Sequence, residues 1–270
     1  MSCVEILDRY YGGVTTSARR KLCRGVEQAH ALCRDADAFE HGDTCTFEVE
    51  RERTSPNEVV NRVYAALRQP IDPDWPLRAG EAIQNLRSAL DHVVWASTKR
   101  PGPRSQFPIF TDECEFKVLG KHQIPRVPAT VRAIIENAQP YKHTPTRPTR
   151  DYLEILRHLS NIDKHRTLTT VAAAIDTEWV GVNKGTDVHW DRLAANTIIG
   201  ETKTHVSTYR VTYAPEAEQV DVEPGFSYRV LIERMPISIL KGIAIRVFEL
   251  VIECETGQPA NPAAYPVIYT

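Results

Sequence analysis

Apolar residues recur at helical spacing from about Thr15 to Phe39, with Leu22, Val26, Ala29 and Leu32 on one face and charges elsewhere. That helix ends near His41-Gly42-Asp43, where glycine supplies the terminator. The period then shortens to two. From Thr44 to Arg53, Cys45, Phe47 and Val49 fall on one side and Thr46, Glu48 and Glu50 on the other. Ser55-Pro56-Asn57 separates this run from a second, Val59 to Leu67. By composition the second run would pass for a helix, but the adjoining turn makes the pair a β-hairpin.

Pro70, Pro73 and Pro76 enforce an extended connection, and Pro76 suits the first turn of a helix, where its missing N–H costs nothing. This helix runs from Leu77 to about Thr98 and closes at Lys99-Arg100-Pro101-Gly102. A Pro-rich loop, Pro101 to Phe110, leads to short helices at Asp112 to Leu119 and Pro128 to Asn137. An extended stretch through Pro140, Pro145 and Pro148 follows, then a stronger helix from Arg150 to Arg166. After Thr167, β-branched and aromatic residues at Leu168 to Ile175, His205 to Tyr213 and Phe226 to Glu233 predict strands, with turns at Pro215 and Pro224-Gly225. Ile237 to Glu253, apolar around most of its circumference, predicts a buried closing helix, and Gly257 to Thr270 an irregular tail.

The expectation is an α+β fold, a helical bundle packed against an antiparallel β-sheet. Helices near 15–39, 76–98, 128–137, 150–166 and 237–253 build the bundle, and the 44–67 hairpin with the 167–234 region builds the sheet. A chain of 270 residues admits one domain or two. It reads as a single intertwined domain over 1–270, with 76–166 as the helical core bearing the candidate site, 167–234 strand-rich and 237–255 the closing helix.

Composition narrows the functional classes. With 42% hydrophobic and 25% charged residues the chain is an ordinary globular one, and a net charge of −2 means that any nucleic-acid contact needs a local basic patch. Arg far outnumbers Lys; guanidinium groups suit bidentate contacts with carboxylate or phosphate, although a bias of the coding genome is the better explanation of the excess. Cys3, Cys23, Cys33, Cys45, Cys114 and Cys254 show no paired metal spacing and read as reduced packing residues. The opening MSCVEILDRYYGG lacks a signal core and no run is long enough to span a membrane, so a cytoplasmic location without a membrane partner is expected. Neither a Walker loop, a dinucleotide fingerprint nor a nucleophile elbow is present, so ATP, NAD and other cofactors are not expected.

The two long central helices carry the candidate chemistry. The first puts Ala79, Ile83, Leu86, Leu90, Val93 and Val94 on an apolar face, with Glu81, Asn85, Ser88 and His92 stacked opposite. The second puts Tyr152, Leu156, Leu159 and Ile162 inward and Glu154, His158, Asn161 and His165 opposite, at the same spacing. The two rows are expected to face one another across a polar seam. Ordinary solvated faces are the plainer reading, and Asn85 with Asn161 bonding across a helix pair to set its register is another.

Within the first row, Arg87-Ser88-Ala89-Leu90-Asp91-His92 resembles the Arg-x4–6-His motif of the HEPN superfamily, helical-bundle proteins of bacterial toxins and defence systems, many of them metal-independent ribonucleases. The stretches Gly80 to His92 and Asn161 to Arg166 also resemble a group of uncharacterised bacterial proteins. The HEPN resemblance implies an RNA-cleaving homodimer with His92 as acid/base and Arg87 as phosphate clamp. Asn85, Ser88, Asp91, His158, Asn161, Asp163, Lys164, His165 and Arg166 are the candidate helpers. Five residues of helix turn Arg87 and His92 about 140° apart, which a cleft shared between two protomers would resolve. Ser88 stands where Asn often follows the family's Arg, and the strand-rich portion is foreign to a simple bundle.

Three other readings stay open. Glu81, His92, Glu154, His158 and His165 offer carboxylates and imidazoles for a metal, without the diagnostic Glu-x-x-His spacing. Lys164, His165 and Arg166 complement a helix dipole or cradle a phosphate, with Asp163 pairing to Arg87 or Arg166. A non-catalytic oligomeric or ligand-binding protein would use the sheet and Trp75, Trp95, Trp179 or Trp190, although tryptophans are mostly core residues.

Overall fold

The computed structural model describes residues 2–178, 186–191, 197–214 and 225–261. The fold is α+β, and its contacts divide the chain into two compact units where a single intertwined domain was expected. The first takes Met1–Arg34, Asp74–Leu168 and Ser238–Thr270; the second takes Asp35–Pro73 and Thr169–Ile237. Chain segments of the two alternate, which is why sequence order alone reads as one unit.

The first unit opens with a helix that periodicity did not pick out, α1 (Cys3–Tyr11). A capping box starts it, Ser2 and Glu5 satisfying each other's backbone amides, and Gly12 ends it at φ 74°, a left-handed conformation suited to glycine. Its nine residues bury only Cys3, Ile6 and Leu7, too few apolar positions to establish a period. Next, α2 (Ser17–His41), whose residues from Asp35 onward belong to the second unit, begins where Thr16 Oγ1 accepts from the Arg19 amide. Arg19 itself is buried: Nε contacts Glu255 Oε2 at 2.6 Å, and Nη1 donates to the carbonyls of Tyr11 and Gly13 at 2.6 and 2.7 Å.

The remaining helices of this unit are α3 (Trp75–Ser97), α4 (Glu113–Val118), α5 (Ala129–Asn137), α6 (Pro140–His143), α7 (Tyr152–His165) and α8 (Ile239–Thr256). The apolar face expected on α3 is buried in full, and α8 packs its Leu240, Ile243, Val247, Phe248 and Val251 inward as the closing helix. Among these helices α3, α5 and α7 all touch α8. Asp151 caps α7, accepting from the Leu153 amide at 2.9 Å and from His143 and Thr144 at 2.7 Å each.

Two glycines set the spacing around α3. A Cβ on Gly25 would lie 2.7 Å from Leu86 Cγ, so α2 and α3 meet at van der Waals limits. A Cβ on Gly80 would overlap the Asp163 carboxylate of α7. This contact joins the Gly80 to His92 stretch to the Asn161 to Arg166 stretch and supplies a testable coupling. In a helix interior alanine is worth about 1 kcal/mol more than glycine. Gly80→Ala should therefore stabilise an Asp163→Ala background by about that much, and should lose or reverse the gain when Asp163 is present. Urea denaturation of the four proteins in the cycle measures the difference.

The second unit contains β1 (Cys45–Ser55), β2 (Glu58–Leu67), β3 (Thr170–Glu178), β4 (Thr186–Asp191), β5 (Thr197–Ile199), β6 (Thr204–Tyr213), β7 (Gly225–Ile232) and β8 (Met235–Pro236). They form two four-stranded antiparallel sheets, ordered β1-β2-β6-β4 and β5-β3-β7-β8, where one sheet was expected. The hairpin of β1 and β2 pairs as its alternation predicts, Cys45 opposite Leu67 and Val49 opposite Val63. On β2 the inward residues Asn61, Val63, Ala65 and Leu67 are buried; β1, the edge strand, carries Glu48 and Glu50 paired to Lys203, charges that discourage further strand addition. The strands β4, β5 and β8 escaped the sequence reading because β4 is mostly polar and the other two span three residues or fewer. Glu233 and Arg234, both at positive φ, turn β7 into β8.

Pro215, Pro224 and Trp179 lie outside the described residues, as do the side chain of Trp190 and the tail after Asn261. Trp75 is buried, whereas Trp95 is 51% exposed and does not belong to the core. All six cysteines are free. The Cys3 and Cys23 sulfurs share a hydrogen bond of 3.1 Å, and engagement of the Cys3 thiol in it, with burial, raises that thiol well above its ordinary range and keeps it protonated. No described helix is long and apolar enough to cross a membrane.

Candidate anion site around Arg87

The two polar rows do not face each other. On α3, Glu81 accepts from Gln28 at 2.7 Å, while Asn85 accepts from Lys21 at 3.0 Å and donates to Gln28 at 2.8 Å, so this row meets α2. The side of α3 that meets α7 carries Gly80 and Gln84, whose amide donates to Ser160 O at 3.3 Å and Asp163 Oδ2 at 3.1 Å. Along α7 the buried stripe is Leu153, Glu154, Leu156, Leu159 and Ser160. Tyr152 is 41% exposed and Ile162 half-buried, a rotation of the inward face away from the expected one. Tyr152 instead lies across Gly242, where a Cβ would overlap its ring.

This rotation disperses the metal set. Glu154 is buried and held by Arg157 through two bonds of 2.7 and 2.5 Å; His158 and His165 are exposed and His92 half-buried. Among the described residues no group of three or more His, Cys, Asp or Glu is placed to hold a metal. Ser88 is half-buried, and Arg166 is exposed, donating to the Thr167 carbonyl at 3.1 Å.

Arg87 is set apart from the other candidates by what surrounds it. Its Nη2 donates to the Phe107 carbonyl at 2.6 Å and contacts Asp91 Oδ1 at 3.0 Å, and the same Asp91 oxygen accepts from the Phe107 amide at 2.9 Å. The other terminal nitrogen, Nη1, is buried without a partner. Burial disfavours the cation and lowers the Arg87 pKa; Asp91 opposes this and nearby Arg157 adds to it. An arginine side chain nevertheless stays charged, so an unsatisfied buried donor remains.

A hollow of about 260 Å³ lies beside it. Arg87, Arg157 and Lys164 supply cations to its wall; Gln106, Gln123, Ser160 and Asn161 supply neutral polar groups; Phe107, Ile109 and Phe110 complete it. Among the described residues the wall has no carboxylate: Asp91 and Glu154 pair with their arginines without lining the hollow. Ser160 is buried and its Oγ, like Arg87 Nη1, has no partner. Lys164 and Asn161 are exposed, and their side chains make no hydrogen bond or ion pair among the described residues. Three cations and a buried hydroxyl, with no carboxylate among the described lining residues, give the hollow the chemistry of a candidate oxyanion site.

The loop that forms one wall is anchored from beneath. Gln139 is fully buried; its amide nitrogen donates to Pro108 O at 2.8 Å and Ile135 O at 2.9 Å, and its oxygen accepts from the Phe110 amide at 3.0 Å. Both N–H donors and the oxygen of this side chain are thus engaged, tying residues 107–110 to α5.

Of the residues singled out from sequence, the structure brings Arg87, Asn161 and Lys164 to the hollow and leaves Asp91 behind Arg87 as its orienting carboxylate. Asn85, Ser88, His92, His158, Asp163, His165 and Arg166 do not line it. Arg157, Ser160, Gln106 and Gln123 were not anticipated. A signal for two of them existed: Arg157, Ser160, Asn161 and Lys164 fall at i, i+3, i+4 and i+7, a single helical stripe offset from the Glu154 row. Comparisons of the chain with protein-family models, with curated proteins and with solved structures each find no match, so no relative assigns a role to this hollow.

Proposed function

We propose that this protein recognises a phosphate group in the hollow around Arg87. The observation that carries this reading is the pair of buried donors, Arg87 Nη1 and Ser160 Oγ, left without partners in a wall that holds three cations and no carboxylate. Leaving such groups unpaired costs about 1–3 kcal/mol each, more for a charged one, and a bound oxyanion removes that cost. Guanidinium groups match phosphate geometry, and the local cation cluster answers the net negative charge of the whole chain.

Isothermal titration of the purified chain with inorganic phosphate tests the proposal. Saturable binding is expected, weakened at least about tenfold by Lys164→Glu, an exposed position whose substitution spares the core. Absence of binding at neutral pH and low salt would sink it.

RNA cleavage is the second reading, favoured because the arginine of the Arg-x4-His motif is the one that lines the hollow. His92 does not line it, so this reading has a second copy of the chain bring its His92 to the phosphate as acid/base, in a HEPN-like homodimer. It expects cleavage of RNA in EDTA that His92→Ala abolishes while circular dichroism stays unchanged. A protein that binds phosphate and never cleaves RNA retains the first reading alone.

A further inference from the structure

A second hollow of about 470 Å³ adjoins the first, sharing Gln106, Phe110 and Gln123 as common wall. Beyond that wall its lining changes character: Pro103 and Leu119 present apolar surface, and His122 and Arg104 stand at exposed positions. Leu119 is 55% exposed, and with neighbouring Val118 at 62% it leaves a large aliphatic surface open just after α4. The hollow whose wall holds the buried Ser160 is thus bordered by a wider space with partly apolar walls.

We infer that the ligand is a phosphate monoester whose phosphoryl group occupies the Arg87 hollow and whose ring-bearing organic part occupies the adjoining one. This rests on the phosphate reading and specifies it. A monoester has three unesterified oxygens and a charge near −2 at neutral pH; a diester has two such oxygens and a charge of −1. The hollow answers the first pattern. Arg157 uses Nε and Nη2 on Glu154, which leaves Nη1 available, and Arg87 Nη1, Lys164 Nζ, Ser160 Oγ and the Asn161 amide add four further donors. A diester would also need a second exit for its other ester arm. Phe110 and Leu119 offer a ring contact surface, and the shared glutamines stand where the ester linkage passes.

Calorimetric titration of the full chain at pH 7.5 with methyl phosphate, phenyl phosphate and methyl phenyl phosphate separates these features. Phenyl phosphate should bind about tenfold more tightly than methyl phosphate, through burial of the ring, and about tenfold more tightly than the diester. Leu119→Ser should shrink the phenyl-to-methyl ratio. Monoester binding should weaken as the pH is lowered through about 6, where the ligand loses its second charge. Equal affinity for monoester and diester, or for the phenyl and methyl esters, overturns the inference while leaving the phosphate reading intact. If none binds, and inorganic phosphate does not either, both fall.

The source of the monoester is read with a hexaribonucleotide. Tighter binding of its 5′-phosphorylated form than of its 5′-hydroxyl form assigns the site to an RNA end. Equal weak binding of both, beside tight phenyl phosphate binding, assigns it to a small phosphorylated molecule.

Discussion

Arg19→Ala should destabilise the first unit by about 3–5 kcal/mol, the range for removing one partner of a buried charged pair. Arg19 and Glu255 have side chains only 7% and 15% exposed, so the Glu255 carboxylate would be left largely buried with Thr16 Oγ1 still donating to it. The carbonyls of Tyr11 and Gly13 would lose their guanidinium donor in the same step. Three segments meet at this one side chain: the end of α1, the start of α2 and the end of α8. A fall of roughly 10 °C in melting temperature is expected, measured by calorimetry, and Arg19→Lys should recover only part of it because one ammonium cannot span all three acceptors. Arg62→Ala provides the control. Its pair with Glu52 is 43% and 56% exposed, and a loss below about 1 kcal/mol is expected there.

Gln139→Ala should cost about 3 kcal/mol and should weaken phosphate binding as well, although Gln139 does not line the hollow. Three hydrogen bonds disappear, two of them buried, and the carbonyls of Pro108 and Ile135 and the amide of Phe110 lose their partner. Residues 107–110 carry both the carbonyl that holds Arg87 and the ring of the shared wall, so their loosening reaches the site. Gln139→Glu keeps the acceptor and removes the amide donor, placing an oxygen against two carbonyls; it should be at least as harmful. Urea denaturation and phosphate titration on the same samples separate the two effects, and a Gln139→Ala protein with unchanged phosphate affinity would show that the loop is held without it.

The long helices were legible because their apolar residues repeat over many turns, and the β1–β2 hairpin because its alternation is interrupted by one turn. Periodicity says which residues share a face. It does not say which neighbour that face meets, and so Glu81 and Asn85 were correctly grouped yet assigned the wrong partner helix. The choice depends on Gly25 and Gly80, where the absence of a side chain lets α2 and α7 approach α3 on different sides. Arg87 was legible as chemistry because it belongs to a recognisable motif. Gln139 was not, since a polar residue beside a proline reads as surface, and its burial follows only from a loop folding back over it. Arg157 and Ser160 are hidden for a different reason: they lie on a stripe of α7 beside the more conspicuous row of His158 and His165, which the structure leaves exposed.

The place of α8 in the chain has a consequence for biosynthesis. This helix follows every strand of the second unit in sequence, yet it packs against α3, α5 and α7, which precede the strands from β3 to β8. During translation the apolar stripe of α3 waits without its closing partner while the strands between β3 and β8 emerge. Nascent chains stopped before Ser238 should therefore stay bound to holding chaperones and be cut readily by proteases, and release should coincide with delivery of the segment that contains α8.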